Sequence, residues 1–577
     1  KNDLIARIML HLDKIDFAIS GSESDVLGDA YEYLIGQFAA GAGKKAGEFY
    51  TPQAVSTVLA RLVTNGKTRL KSVYDPTCGS GSLLLRVARE VEHVGDFYGQ
   101  EMNRTTFNLA RMNMILHGVH YRNFNLKQED TLEAPQHRDL KFEAVVANPP
   151  FSAKWSANKI FESDDRFSQY GKLAPASKAD FAFVQHMLHQ LADNGTMAVV
   201  LPHGVLFRGG AEQHIRRYII ENDMLDAVVQ LPNNLFYNTG ITTYIWLLNN
   251  SKPENRTGQV QLIDASLLFR KLRKNLGNIN CEFSIEHIIE ITQTYLNSTS
   301  IERAKDGNGN PIGIAAKVFD NSDFGYYKVN IERPDRRKAQ FRGELIEPLR
   351  FEKSLREVME NIYSEYGDKV YEKGFVKSIE KQVLSWCEEN DINLNAKAKA
   401  KLLDDKIWAK QKNLVDTAYA LKEHIGDAEF NDFNQFKKDV DSGLKVFGTK
   451  LGASEKKVIL DAVSWYDESA VKVIKKVVKF KQDKLDELLD HLACRQDDLA
   501  GFGYYATDNK IEFITYEPNS DLRDAESVPL TYNCDNETDN SEIHQYYLDE
   551  VKPHVEEAWI NLDSTKIGYE ISFNKYF

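Results

Sequence analysis

The stretch 73-VYDPTCGSGSLLL-85 reads as a short strand closed by an acid, then a glycine-rich turn, then the start of a helix. Gly79 and Gly81 allow a tight turn and let backbone N–H groups approach a ligand closely. A GxG turn alone also serves plain strand-to-helix connections. A phosphate-cradling loop would need GxxxxGK[ST], and Leu83 to Leu85 stand where its lysine is required, which disfavours a phosphate ligand. Outward from this turn, the apolar runs SVYD (72–75), GDFYGQE (95–101), FEAVVA (142–147), GTMAVVLP (195–202), LDAVVQLP (225–232) and TTYIWLLN (242–249) alternate with helical patterns at 83–92 and 180–193. Strands separated by helices predict an α/β fold: a doubly wound, mostly parallel sheet with helices on both faces.

In such a sheet ligands bind at the carboxyl ends of the strands. Glu101, in 97-FYGQEMN-103, lies twenty residues past Gly81 at the end of the next strand, where an acid accepts hydrogen bonds from ribose hydroxyls. Asp130, in 128-QEDTL-132, ends the following strand and can reach an adenine amino group, though a solvated surface acid fits it nearly as well. The next strand runs into 143-EAVVANPPFS-152. Pro149 pushes Asn148 toward an extended backbone. Pro149 and Pro150 have no N–H, so the bend offers acceptors without competing backbone donors. The Asn148 side-chain oxygen and a neighbouring carbonyl can accept both hydrogens of an exocyclic amine, which favours a pyramidal nitrogen with a free lone pair. Phe151 offers a stacking surface for a base, a contact worth about 1–3 kcal/mol.

At 577 residues two or more domains are expected. Composition, with 42% hydrophobic and 27% charged residues and no apolar run long enough to span a bilayer, predicts a cytoplasmic protein without membrane association. The five cysteines are too scattered for a disulfide framework or a zinc site, and no metal is expected. Net charge is −13, whereas a protein that grips DNA alone usually shows a basic surplus. Either the basic residues gather on one face or a partner supplies much of the grip. Composition divides the chain into an N-terminal helical segment (1–45, with an amphipathic pattern over 25–38), a catalytic domain (46–250), its extension (251–344), a helical domain (345–500, including a helical run over 470–493) and a tail (501–577). Between 152 and 179 apolar residues are sparse, which reads as a long loop able to cover the site.

These motifs resemble the N6-adenine DNA methyltransferases of the amino group, which use S-adenosylmethionine, and among them the modification subunit of type I restriction-modification systems. The resemblance is close over residues 25–345 and rests on 47-GEFYTPQAVS-56, 75-DPTCGSGSLL-84, 100-QEMN-103, 107-FNLARMNMILHG-118, 146-VANPPF-151, 178-KADFAFVQHML-188 and 208-RGGAEQHIR-216, with 566-KIGYEISFNKYF-577 at the end. It implies a sheet of the S-adenosylmethionine-dependent methyltransferase type. It also implies that Glu48, Phe49, Tyr50, Thr51, Pro52 and Gln53, with Asp75 and the turn Gly79, Ser80, Gly81 and Ser82, hold the cofactor. Glu101 would bind its ribose, Asp130 its adenine, and Asn148, Pro149, Pro150 and Phe151 the target base. The implied partners are double-stranded DNA, a specificity subunit that reads the site, a restriction subunit and a second modification subunit, with the helical region and tail docking the specificity subunit. Cytosine N4, a protein glutamine amide, or a cofactor-binding scaffold in a nuclease complex are the alternatives. A C5-cytosine enzyme is excluded because it needs a cysteine where Phe151 stands. The family carries a further helical region before its catalytic domain, and only a fragment of one fits before residue 25, so either part of the N-terminus is missing or this relative lacks the region.

Overall fold

The computed structural model describes residues 51–577 apart from 65, 237–239, 277–278 and 533–540, together with a few helical positions before residue 35. Glu48, Phe49 and Tyr50, and most of the 25–38 pattern, lie outside the described residues. The chain separates into two compact units. One comprises Lys1–Tyr326, Pro529–Thr531 and Ile567–Phe577; the other comprises Tyr327–Val528 and Tyr532–Lys566. These limits differ from the compositional boundaries at 250, 344 and 500.

The first unit opens with α1 (Gln53–Thr64), whose Val55, Val58, Leu59 and Leu62 are buried along one face. Then follow β1 (Arg69–Asp75), α2 (Ser82–Arg89), β2 (His93–Glu101), α3 (Arg104–Leu116), β3 (Phe124–Gln128), β4 (Phe142–Ala147), α4 (Asp180–Gln190), β5 (Leu191–Pro202), α5 (Ala211–Glu221), β6 (Leu225–Gln230), β7 (Thr243–Asn249) and β8 (Gln259–Asp264). A hairpin, β9 (Arg270–Leu276) and β10 (Ile279–Glu282), leads to α6 (Ile285–Asn297) and β11 (Ala315–Asp320). One nine-stranded sheet has the order β11-β8-β6-β7-β5-β4-β1-β2-β3. Strands β1 to β6 and β8 run parallel, while β7 is antiparallel between β5 and β6, and β11 is antiparallel to β8. Fully buried runs such as Ala144–Ala147 and Met197–Leu201 fit strands covered on both faces, and one apolar cluster lies on each side.

The 152–179 stretch is the expected long loop, and the helical run over 470–493 is corrected. The 152–179 loop has no α-helix or strand, yet it is packed: Trp155, Phe161, Phe167 and Tyr170 are buried, and the Trp155 and Phe161 rings stack at 5.7 Å. Its few apolar residues are large aromatics, so a count of them undervalued the area they bury. The run over 470–493 is not one helix. Ile474–Lys479 is a strand antiparallel to Glu512–Tyr516, and the helix occupies only Gln482–Leu492. Val473, Ile474, Val477 and Val478 are β-branched and restricted at χ1, which a strand accommodates better than a helix interior.

The second unit is helical from Arg356–Tyr366 through Ala453–Ala462. Its longest helix, Asp405–Ile425, is capped by the Asp404 carboxylate and buries Leu414, Val415, Ala418 and Leu421 together with Phe436 and Val440 of Phe433–Phe447. The final residues belong to the first unit. The Arg216 guanidinium donates to the Tyr569 carbonyl at 2.6 Å, the Ile571 N–H donates to the Leu206 carbonyl at 2.9 Å, and Phe573 is buried against Tyr244.

Candidate active site

From β1 the chain proceeds outward to β2 and β3; from β4 it proceeds the other way to β5. The adjacent carboxyl ends of β1 and β4 therefore open a crevice at the point where strand order reverses. Asp75, the last residue of β1, is buried, and its carboxylate accepts the Thr77 N–H at 2.9 Å. Burial, with the Glu101 charge beside it, pushes its pKa up to about 8. The turn that follows has φ of +54° at Gly79 and +75° at Gly81. A Cβ at Gly81 would stand 3.2 Å from the flexible end of the Met114 side chain, which a small shift relieves, so it is the positive φ that calls for glycine there.

Glu101 is tied to this turn. One carboxylate oxygen accepts the Gly79 N–H at 3.1 Å and the other accepts the Asn103 N–H at 2.7 Å. Burial raises its pKa while these two bonds oppose the rise. The Ser80 and Ser82 hydroxyls lie 2.9 Å apart, and the Asn113 amide donates to the Ser80 carbonyl at 3.0 Å. Past β3, the Asp130 carboxylate accepts the Leu132 and Glu133 N–H groups at 2.9 and 3.3 Å and starts a turn. The Thr131 hydroxyl donates to the Pro76 carbonyl at 2.5 Å, joining the loops after β3 and β1.

A cavity of about 360 Å³ lies over these strand ends, and Pro76, Thr77, Glu101, Asp130, Asn148 and Pro150 share its lining. Ala153, Lys154 and Trp155 of the long loop line it as well. The Asn148 amide nitrogen donates to the Thr51 hydroxyl at 3.1 Å. Its amide oxygen is buried and has no hydrogen-bond partner among the described residues. A buried acceptor left unmet costs about 1–3 kcal/mol, so this oxygen is available to a donor.

The remaining candidates fall around the cavity. Phe151 packs edge to face with Phe236, ring centroids 6.2 Å apart, and is not part of the lining; neither are Gly79 to Ser82. Thr51 serves Asn148, Pro52 is buried, Gln53 is exposed on α1, and Pro149 is buried.

Two supporting groups escaped the sequence reading. Ser152 has a left-handed backbone, φ +52°, and its N–H donates to the Asp180 carboxylate at 2.8 Å. Asp180 is buried, with the Arg208 guanidinium 3.5 Å away and bridging to Glu212. Asp180 lies within one of the family-like stretches, 178–188, but an acid at a helix start is commonplace, so its role was not singled out. Beneath the cavity, Arg166 pairs with Asp164 and donates to the Thr131 and Leu132 carbonyls at 3.1 and 2.9 Å. It also meets His186 Nδ1 at 3.3 Å, while His186 Nε2 lies 2.9 Å from the Tyr74 hydroxyl. Burial holds the His186 pKa well below the usual imidazole range, so the neutral ring accepts from Arg166 through Nδ1.

The strand order, with one antiparallel strand between the fifth and sixth, places the first unit in the methyltransferase class of doubly wound folds. The model of the N-6 DNA methylase family matches residues 22–321, more than half of the chain, and the chain belongs to that family. It is 46% identical over 265 residues to the type I restriction enzyme MpnII methylase subunit of Mycoplasma pneumoniae, covering 44% of this chain and 48% of that one. It is 35% identical over 277 residues to the HindI methylase subunit of Haemophilus influenzae, covering 47% and 60%. Among solved structures it is similar to the type I restriction-modification methyltransferase subunit of Streptococcus thermophilus: 42% identity over 56% of this chain and 65% of that one, TM-score 0.50. The chain spans about half the length of the curated relatives it matches.

Proposed function

We propose that the protein is an adenine-specific DNA methyltransferase, the modification subunit of a type I restriction-modification system, which transfers a methyl group from S-adenosylmethionine to adenine N6. The observation that carries this reading is the Asn148 amide oxygen, without a partner among the described residues and set in one cavity with Glu101 and Asp130. The cofactor's adenosine fits the acids at the ends of β2 and β3: Glu101 accepts from the ribose and Asp130 from the adenine amine. Its sulfonium supplies the electrophilic methyl group.

The chain's own residues prepare the acceptor. Thr51 holds the Asn148 amide so that its oxygen, not its NH₂, is free. That oxygen and the Pro149 carbonyl take the two hydrogens of the adenine N6 amine. The two prolines keep backbone donors away, and the nitrogen lone pair is released for attack. No base is needed beforehand, because the proton leaves after the N–C bond has formed. The adenine reaches the cavity by leaving the duplex stack, at a cost of a few kcal/mol. Trp155 and its neighbours narrow the cavity on the loop side.

A specificity subunit reads the DNA site, two modification subunits act with it, and a restriction subunit completes the system in the cytoplasm. The helical region and the tail dock the specificity subunit, the tail being divided between the two units, with 567–577 in the catalytic one. The test is to incubate the protein with methyl-labelled cofactor and unmethylated DNA, alone and with its specificity partner. N6-methyladenine in the digested product is expected. Label in N4-methylcytosine would redirect the reading, and none in either case would favour a scaffold.

A further inference from the structure

A net charge of −13 leaves open which surface of this chain faces DNA, and one element answers by position and charge together. Between 269 and 283 the sequence carries four Lys or Arg and a single acid, Glu282. This stretch is the β9–β10 hairpin, and its Arg270, Lys271 and Arg273 side chains are exposed. Arg270 forms a solvent-exposed ion pair with Glu282 at 2.8 Å, an interaction worth only ~0–1 kcal/mol and easily exchanged for another anion. Lys271 and Arg273 make no ion pair among the described residues. Two residues apart on one strand, they stand on the same face about 6.6 Å from each other. Glu286, in the first turn of α6, lies close enough to feel the Arg270 charge.

Register fixes where the hairpin emerges. Ala147, Val199, Trp246, Val228 and Leu262 form one row across β4, β5, β7, β6 and β8. Asn148 follows the row by one residue on β4 and Asp264 by two on β8, so the chain leaves for the hairpin on the edge that holds the cavity. Four strand spacings separate β4 from β8, roughly 19 Å, comparable to the width of a DNA duplex. The hairpin is also tied to the site. The Asn280 N–H donates to the Asn234 carbonyl at 3.2 Å and the Cys281 thiol donates to the Asn233 carbonyl at 3.2 Å. Two residues on, Phe236 meets Phe151 edge to face.

We infer that the β9–β10 hairpin grips the phosphodiester backbone of the DNA duplex, seating it on the catalytic edge while the adenine is held at Asn148. This rests on the DNA-methyltransferase reading of the site. The hairpin binds phosphates and carries no base specificity, so its effect appears in salt dependence.

The test uses the full chain with a short unmethylated duplex, the affinity being followed across a salt titration. Combined Arg270→Ala, Lys271→Ala and Arg273→Ala should lower the slope of log K against log salt by about 2 to 3, at ~0.9 for each phosphate no longer neutralised. It should raise KM for DNA and leave cofactor affinity and saturated kcat within about twofold. Glu282→Lys, which frees Arg270 and adds a charge, should steepen the slope by about 1, a gain that misfolding cannot imitate. Slopes equal to wild type in both variants, with methylation of DNA intact, overturn the hairpin assignment alone. A wild-type protein that neither binds duplex nor methylates it overturns the reading of the site and the hairpin with it.

Discussion

Replacing Asn148 by alanine separates the chemistry of the site from its architecture, because the two effects have opposite signs. The substitution removes the bond to Thr51, worth about 1 kcal/mol to the resting protein. It also removes a buried acceptor that has no partner among the described residues, relieving about 1–3 kcal/mol. The thermal transition should therefore stay in place or rise slightly. Methyl transfer should suffer. A preorganised polar group aimed at charge that develops in the transition state is worth ~10²–10³ in rate, about 2.7–4 kcal/mol. The assay is single-turnover transfer to DNA, with cofactor affinity measured by calorimetry and stability by thermal melting. Transfer should slow by two to three orders of magnitude while cofactor affinity changes by less than threefold. A rate within threefold of wild type refutes the acceptor role. So does a loss of rate matched by an equal loss of cofactor affinity, since Asn148 would then be merely part of the cofactor cavity.

Glu101→Gln removes the charge from two charge-assisted bonds and from the ribose contact, and should weaken cofactor binding by about 10- to 100-fold in calorimetry, with little change in DNA affinity. Thr51→Val frees the Asn148 amide to turn over and should slow transfer about tenfold at unchanged cofactor affinity. Asp180→Asn weakens the hold on Ser152, whose left-handed backbone costs ~1–2 kcal/mol, and should also slow transfer about tenfold; adding Ser152→Gly should restore most of the rate, and a failed rescue would mean that Asp180 acts elsewhere. The Asp75 carboxyl, pushed up to about 8, keeps its proton in the folded protein while the unfolded chain releases it near 4. Its contribution to stability is thus fully present below about pH 4 and fades as pH rises to about 8, by at most ~1.4 kcal/mol per pH unit. Asp75→Asn should flatten that part of the stability profile measured by denaturant melts, and an unchanged slope would show that Asp75 is ionised when folded.

The catalytic sheet was legible because its strands are apolar runs separated by helical patterns, and because Gly79, Gly81 and Pro149 each leave the backbone few options. Glu101 could be placed from its distance past the glycine turn, and Asp130 from its position at the end of the next strand. What stayed hidden depends on contacts between remote segments. Asp180 looks like any acid at a helix start until Ser152 comes within 2.8 Å of it. Arg166 sits in a polar-looking loop, and its burial follows from the carbonyls of Thr131 and Leu132 that it satisfies. The strand at Ile474–Lys479 was read as helix because lysines fill the gaps between its β-branched residues, which imitates an amphipathic pattern. Its partner strand lies more than thirty residues further on. Likewise, 566-KIGYEISFNKYF-577 gives no sign in itself that Arg216, over 350 residues earlier, accounts for its backbone.

The costs carried by the free protein gather in a few residues. Asn148 keeps an acceptor without a donor among the described residues, and four residues later Ser152 keeps a backbone that L-residues avoid. Each costs on the order of 1–3 kcal/mol, and neither would persist in a loop free to relax. Both are held from several sides: Thr51 on the Asn148 amide, Asp180 on the Ser152 N–H, Phe236 on the Phe151 ring, and the two prolines on the chain between. Restraint of this kind is what a reaction with a poor nucleophile requires. An exocyclic amine is activated only if the acceptor stays in place when the amine arrives, and a loop that moved to satisfy its own oxygen would dissipate the effect. The instability of the resting loop and the reactivity of the bound base are therefore one property, and a substitution that lets the loop relax should stabilise the protein as it slows transfer.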